Sequence, residues 1–318
     1  MKKVLCILLI FLSPVGGISA NIKEIRVAMV LWRGMTDAEL GFQQALSDLG
    51  YITHYTFLNG EQSRAGLATQ LRTELVPHLS DYDYIYSFGT TATQMVKVIN
   101  HASIPHIFNI VTDPVGAGIA KSMESAGLKL SGVSHRISLD SQIENAQKIK
   151  KLGKVAFFFN PREKNSESIR TELLGIAQQH NFDIQEFRSP PVKRMLQKNL
   201  KRLQEYPTGI DAVYFPLDSY LVSEASLIGQ SIKAVDILSI GALKEYVSEG
   251  VLIGLVPDYF NLGREAASIL DRHMKGEALS NIPICTKTNP KILINETTRK
   301  LLGVDIPSEI SSVATILN

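Results

Sequence analysis

Short apolar runs alternate with longer amphipathic stretches along most of the 318 residues, and few folds accommodate that alternation. The run 25–30 precedes a stretch in which Leu40, Phe42, Ala45, Leu46 and Leu49 form an apolar stripe, and Gly50 is placed to stop a helix. Strands at 52–58, 84–88 and 107–111 follow, with helices over about 65–79 and 91–99 between them. The series then restarts: helix 139–150, strand 155–159, helix 163–179, strand 183–187, helix 192–204, strand 212–216, a helix near 222–234 and strand 236–240. The unbroken apolar run Val155-Ala156-Phe157-Phe158-Phe159 suits a strand covered on both faces. Strands alternating with helices of this size call for parallel sheets joined by right-handed crossovers. The expected fold class is therefore α/β, with two doubly wound, Rossmann-like lobes. The expected crossing between them is 128–135, with Gly127 just before it and Gly132 within it.

The tail does not form a third set. A strand at 252–256, a helix at 262–275 ended by Gly276, a strand at 291–295 and a helix from Glu296 are too few for one. If these pieces return to one lobe and then the other, several connections join the lobes and make a hinge. We accordingly expect a first lobe of 21–133 plus 254–283 and a second of 134–253 plus 284–318.

The first twenty residues have the layout of a secretory signal peptide: Lys2 and Lys3, an apolar run from Val4 to Leu12, and small residues before a cut after Ala20. That run is far shorter than the roughly 20 residues needed to span a bilayer. The whole chain has 33 Lys+Arg against 31 Asp+Glu, and without Lys2 and Lys3 the two counts are equal. A neutral chain lacks the basic footprint of a nucleic-acid binder. Of two cysteines, Cys6 lies in the leader, so Cys285 would be left without an internal disulfide partner.

Signals for catalysis are poor. Gly116-Ala117-Gly118 follows a strand, but Lys121 stands where a dinucleotide fingerprint needs its third glycine, so a tight turn before a helix is the expectation. His101 and His106 are separated by Pro105, which breaks any shared helical face for a metal. Cys285 sits beside Pro283 with no base near it in sequence, the setting of an inert thiol. No nucleophile elbow and no phosphate loop occur. We expect no enzyme, no cofactor and no metal.

The corners after the strands carry more information, because open α/β sheets bind ligands beyond the carboxyl ends of their strands. These corners are Trp32-Arg33, Gly89-Thr90-Thr91, Thr112-Asp113-Pro114, Asn160-Pro161, Asp218-Ser219 and Gly241-Ala242. Thr90 and Thr91 open a helix, where free N–H groups and hydroxyls bind an anion; they can equally serve as that helix's own cap. Asp113 and Asp218 end strands in different halves, and facing each other they would accept from a ligand ammonium. Asp113 before Pro114 also reads as a turn aspartate. Trp32 can stack on a ligand or sit on the rim, and Arg33 can clamp a carboxylate or remain solvated.

These residues resemble the substrate-binding proteins of ATP-binding-cassette transporters, in particular receptors for tryptophan and other aromatic amino acids. Five blocks carry the resemblance: 112–118, Gly132-Val133-Ser134, Asn160-Pro161-x-Glu163-x-Asn165-Ser166, Pro216-x-Asp218, and a tail block from Asp258-Tyr259 through Gly263 to Ile306-Pro307. The resemblance implies a type I periplasmic-binding fold with three crossovers and one ligand held between the lobes. It implies that Thr90, Thr91, Thr112 and Asp113 line one side and Asn160, Glu163, Ser166 and Asp218 the other; the corners add Trp32, Arg33 and Gly241. At the first corner the run from Leu31 to Asp37 departs from the acidic or histidine-containing segment usual in amino-acid receptors. The expected protein is a monomeric periplasmic receptor of an ABC importer that closes its lobes on a small solute, an aromatic amino acid, and docks on an inner-membrane ABC permease. The alternative is a receptor that signals to a membrane sensor protein.

Overall fold

The computed structural model describes residues 24–233 and 235–318. The expected signal peptide, 1–20, lies outside the described residues. The chain runs β1 (Glu24–Leu31), α1 (Asp37–Asp48), β2 (Ile52–Asn59), α2 (Arg64–Gln70), β3 (Tyr84–Phe88), α3 (Thr90–Asn100), β4 (His106–Val111) and β5 (Leu130–Ser134). Then come α4 (Leu139–Ile149), β6 (Lys154–Phe159), α5 (Lys164–Gln179), β7 (Asp183–Arg188), α6 (Lys193–Glu205), β8 (Ala212–Phe215), α7 (Ser219–Ser223) and α8 (Ala225–Ile232). The remainder is β9 (Leu238–Gly241), α9 (Lys244–Glu249), β10 (Ile253–Val256), α10 (Tyr259–Met274), β11 (Lys291–Asn295), α11 (Glu296–Leu302), α12 (Ser308–Ser311) and β12 (Thr315–Leu317).

Two sheets result, ordered β2-β1-β3-β4-β5 and β12-β11-β10-β9-β8-β6-β7. Every pairing is parallel except that of β10 with β11. The strand orders reverse direction beside β1 and β6, so each lobe is doubly wound. Each lobe has its own apolar core, one around Val27, Met29, Phe42 and Ile85, the other around Phe157, Phe158, Tyr214 and Ile228.

Several boundaries differ from the sequence reading. Leu130–Ser134 is not connection but the edge strand β5, and the first crossing is the short stretch 135–138. β10 lies wholly in the seven-stranded sheet, so the return crossing is 257–258 rather than a break after residue 253. The stretch 65–79 breaks into α2, a π turn and a 3-10 turn, because Pro77 cannot donate to the residue four earlier. The helix near 222–234 is two helices meeting at Glu224. In α1, Phe42, Ala45 and Leu46 are buried but Leu40 and Leu49 are exposed. The Gly116 turn leads into irregular chain, not a helix.

The tail helix α10 returns to the first lobe and packs on α1. Gly41 and Gly263 permit the approach: a Cβ on Gly263 would stand 1.9 Å from the Ala38 carbonyl oxygen, and one on Gly41 2.0 Å from that of Phe260. The third crossing, 282–290, runs back to β11 and is pinned to β5, where Cys285 N–H donates to the Gly132 carbonyl (2.9 Å) and Ser134 N–H to the Cys285 carbonyl (2.8 Å). The Cys285 thiol is pushed up by burial and by the nearby Glu265 carboxylate, so it stays protonated. Among the described residues no helix is long and apolar enough to cross a membrane, and no group of three or more His, Cys, Asp or Glu is placed to hold a metal ion.

Candidate ligand-binding cleft

The strand ends of both sheets face one cavity between the lobes. The first lobe supplies Trp32, Arg33, Phe88, Thr90, Thr91, Ile110 and Thr112. The second supplies Glu163, Asn165, Leu217, Asp218, Ser219 and Leu243. His135, from the first crossing, and Tyr259, the first residue of α10, complete the wall. This inner cavity is narrow, about 30 Å³, and adjoins an outer chamber of about 280 Å³ that shares Thr90, Thr112, Glu163 and Asn165 with it.

At the first corner, β1 ends and the chain turns into α1 through a capping box. Thr36 Oγ1 accepts from Ala38 N–H, while the buried Glu39 carboxylate accepts from both Thr36 N–H and Thr36 Oγ1 at 2.8 Å. Glu39 also accepts from the Tyr86 hydroxyl (2.7 Å), which in turn accepts from Asn109 Nδ2 (3.0 Å). Burial raises the Glu39 carboxyl, and these donors oppose the shift. The corner leaves Trp32 buried and its indole N–H without a partner. Arg33 lies along the cavity wall, its guanidinium carbon 5.6 Å from the Phe88 ring and 5.9 Å from that of Tyr259. Its nitrogen is 3.9 Å from Glu245 on α9, so it spans the lobes. Burial works against the charge, but Tyr259, Glu245, Tyr246 and Glu163 outweigh it, and Arg33 remains a cation.

The N-cap of α3 is Gly89 at φ 86°, a conformation glycine adopts freely, and no side chain caps the helix. Thr90 and Thr91 are thus the first helical residues rather than its cap, and they line the cavity beside free N–H groups. Next to them β4 is irregular. Its pairing with β5 shifts between Phe108 and Val111, and Ile110 has φ 56°. Asn109 Oδ1 accepts from Ile110 N–H (2.9 Å), holding the bulge that turns Ile110 to the cavity.

On the second lobe two carboxyl groups meet. Asp218 Oδ2 accepts from Asn160 N–H (2.9 Å) and from Ser166 Oγ, and its Oδ1 caps α7 through Leu221 N–H (2.9 Å). Glu163, at the N-terminus of α5, accepts from Ser219 N–H (3.0 Å). Burial first, and the charge of Asp218 second, push the Glu163 carboxyl up to about 8. Burial also raises Asp218, against the pull of Ser166 and two backbone N–H groups. With those donors on Asp218, the proton of the pair resides on Glu163 and is shared towards Asp218. The ring of His135 packs edge-on against Tyr259 at 5.9 Å. Burial and, secondarily, Arg33 bring its pKa down to about 3, so it is neutral.

Of the residues singled out from sequence, Trp32, Arg33, Thr90, Thr91, Thr112, Glu163 and Asp218 come together on this cavity. Asp113 does not face Asp218. Its Oδ1 accepts from Gly116 N–H (2.8 Å) in the turn, and the residue lines the outer chamber. Asn160 and Ser166 stand behind the wall and hold Asp218. Gly241 packs under Tyr246, whose Cβ would lie 2.8 Å from an added methyl group. The sequence reading missed Phe88, Ile110, His135, Asn165, Leu217, Ser219, Leu243 and Tyr259 as wall residues. Phe88 adjoins Gly89, Ser219 adjoins Asp218 and Tyr259 opens the tail block, so position at a strand end or crossing was the available clue.

Comparison with known proteins matches this architecture. The family model described as ABC transporter substrate binding protein fits residues 24–317. A tyrosine-binding protein of Clostridioides difficile (strain R20291) is 28% identical over 269 residues, 84% of this chain and 76% of that protein. An ABC domain in complex with L-Trp from Streptococcus pneumonia superposes with TM-score 0.84 at 19% identity, covering 93% of this chain and all of that one. A conserved domain protein from Vibrio cholerae gives 0.81 at 22% identity, covering 92% and 99%. The ligand-free, open form of a substrate-binding protein with adhesive properties from Clostridium difficile gives 0.73 at 22% identity, with the same coverage. These structures share the two-lobed type I periplasmic-binding fold.

Proposed function

Because the chain belongs to the ABC transporter substrate-binding protein family, we propose that it is the extracytoplasmic receptor of an ABC importer and captures an aromatic amino acid by hinge closure. The observation that carries this reading is the mixed wall of the inner cavity. Aromatic faces from Trp32, Phe88 and Tyr259 stand beside an uncapped helix N-terminus and a single buried acid pair. The relative that binds tyrosine and the fold relative holding L-Trp support the same ligand class.

In this mechanism the ligand enters with the lobes parted, since the inner cavity has only about 30 Å³ of room. Its carboxylate docks on the free N–H groups and hydroxyls of Thr90 and Thr91, with Arg33 as a cationic partner. The ring displaces the Arg33 guanidinium from Phe88 and Tyr259. As the lobes come together Glu163 meets the ammonium: its carboxyl releases its proton to solvent, and the resulting carboxylate accepts a charge-assisted hydrogen bond from the ammonium N–H. Because only the closed form contacts the ligand from both sides, the ligand shifts the hinge equilibrium towards it. Charge-assisted hydrogen bonds of about 1.5–3 kcal/mol each, with the aromatic contacts, suffice for the roughly −8 kcal/mol of micromolar binding. The closed surface would dock on an inner-membrane permease.

Calorimetry of the leaderless protein against the twenty amino acids tests the assignment. Heat of binding confined to aromatic members is the expected result, and no response to any of them overturns it.

A further inference from the structure

At the end of α10 and on α11, cations meet acids close to them in sequence: Lys275 pairs with Asp271, Arg272 with Glu277, and Arg299 and Lys300 with Glu296. Helix α6 departs from that pattern. Its 13 residues hold Lys193, Arg194, Lys198, Lys201 and Arg202 against a single acid, Glu205. Leu196, Leu200 and Leu203 are buried, so this stripe lies against the lobe. Arg194, Lys198 and Lys201, at spacings of four and three, fall on the opposite face with Arg202 beside them, and all four are exposed. Lys193 is 3.0 Å from Glu224, Lys201 is 3.5 Å from Glu205, and Arg202 leans over the Phe187 ring at 5.5 Å. Arg194 and Lys198 make no ion pair among the described residues. Like charges four apart on a helix repel, and nothing on α6 relieves that repulsion. Two apolar side chains stand at the same surface: Val192 is 43% exposed and Met195 46%. Met195 lies three and seven residues before Lys198 and Arg202, so it shares their side of the helix.

We infer that the outward face of α6 is a membrane-contact surface whose partner is the anionic headgroup layer of a bilayer. A group of four to eight Lys and Arg on an amphipathic helix is the composition that such a layer attracts. From Arg194 to Arg202 the charge extends over about 12 Å of helix axis, a line of cations suited to a sheet of phosphates. Val192 and Met195 add what a purely electrostatic patch lacks, apolar groups that enter the boundary between headgroups and acyl chains. The surface belongs to the second lobe, on the helix that follows its edge strand β7, and none of these residues lines the cleft. From the proposed function the inference takes only the extracytoplasmic setting, where a bilayer is the anionic surface at hand. Contact through α6 would hold the receptor near the membrane without occupying its ligand site.

The test is co-sedimentation of the leaderless protein with phosphatidylcholine vesicles, with and without about 30% phosphatidylglycerol. Binding is expected only to the anionic vesicles, with release as salt is raised from about 0.1 M to about 1 M and the screening length falls from about 10 to about 3 Å. Arg194→Gln with Lys198→Gln keeps good helix formers on an exposed face and is expected to weaken partitioning at least about thirtyfold. Lys121→Gln with Lys151→Gln removes the same net charge from exposed sites elsewhere and should leave most of the binding. Met195→Ser should weaken it by a smaller factor. Equal binding to both vesicle types or equal losses from the two pairs of substitutions would overturn the inference. So would no binding to either vesicle, which would make an acidic protein surface the occupant. Neither pair touches the cleft, so amino-acid calorimetry on the same variants reports on the proposed function separately.

Discussion

The two faces of the cleft treat their polar atoms in opposite ways. On the second lobe, Asp218 accepts from Asn160, Ser166 and Leu221, Glu163 from Ser219, and Asn165 donates to the Leu217 carbonyl. On the first lobe and the crossing beside it, Trp32, Thr112 and His135 keep unpartnered atoms at the wall, and Ile110 is held in a left-handed conformation. One face is complete before any ligand arrives, and the other is not. The difference separates two jobs. A saturated face fixes the position of one acid, whereas an unsatisfied face gains its hydrogen bonds only from a partner of the right chemistry.

The contrast breaks most directly at the two aspartates that look alike in sequence. Removing Asp218 strands three buried donors and uncaps α7, so Asp218→Ala should cost about 3 kcal/mol or more. Asp113→Ala loses one N–H contact in a half-exposed turn and should cost less than about 1 kcal/mol. Urea denaturation measures both. Equal losses would mean that the second face is no more tightly built than the first.

A smaller and pH-dependent effect tests the acid held by that face. Glu163 has its folded value raised to about 8 from an ordinary 4.5. The folded form therefore binds the proton more tightly than the unfolded chain does. The resulting stability is fully present below pH 4.5 and is lost as pH rises towards 8. Denaturation midpoints at pH 5, 7 and 9 should fall in that order, and Glu163→Gln should flatten the slope. Ligand binding has the reverse dependence. If an ammonium replaces the proton, affinity rises with pH through the same window, by at most about tenfold per pH unit. A fall in affinity over that range would move the ammonium away from Glu163.

Much of this architecture was legible in the sequence because its signals are local. The apolar run 155–159 became a strand buried over most of its length, and Gly263 in the tail block marks the close approach of α10 to α1. The corners with Gly89 and Asp218 were found because a strand end and a helix start adjoin there. Phe88, Tyr259 and His135 were not found, since a large or aromatic residue in sequence looks the same whether it fills a core or walls a cleft. Which it does depends on how the lobes close. Asp113 and Asp218 were indistinguishable for the same reason: the donors that occupy Asp218 include Asn160 and Ser166, more than fifty residues earlier in the chain. The three-residue β12 is too short for any periodicity to reveal.

The subtlest test concerns the backbone of the unsatisfied face. Ile107 and Ile110 lie in the same strand, both buried, but only Ile110 has φ of 56°. A branched side chain in that region costs about 1–2 kcal/mol, and the Asn109–Tyr86–Glu39 hydrogen-bond network surrounds the bulge that imposes it. Substituting glycine at either position removes a comparable side chain. At position 107 glycine also loses backbone entropy in an ordinary extended conformation, whereas at 110 it relieves the strain. Ile110→Gly should therefore destabilise the protein by about 1–2 kcal/mol less than Ile107→Gly does in the same urea titration. The strain is useful only if it aims Ile110 at the ligand, so Ile110→Gly should weaken ligand binding even though it is the milder substitution for the fold. Equal destabilisation by the two would mean that the bulge stores no strain, leaving the unpartnered atoms alone to distinguish the first face from the second.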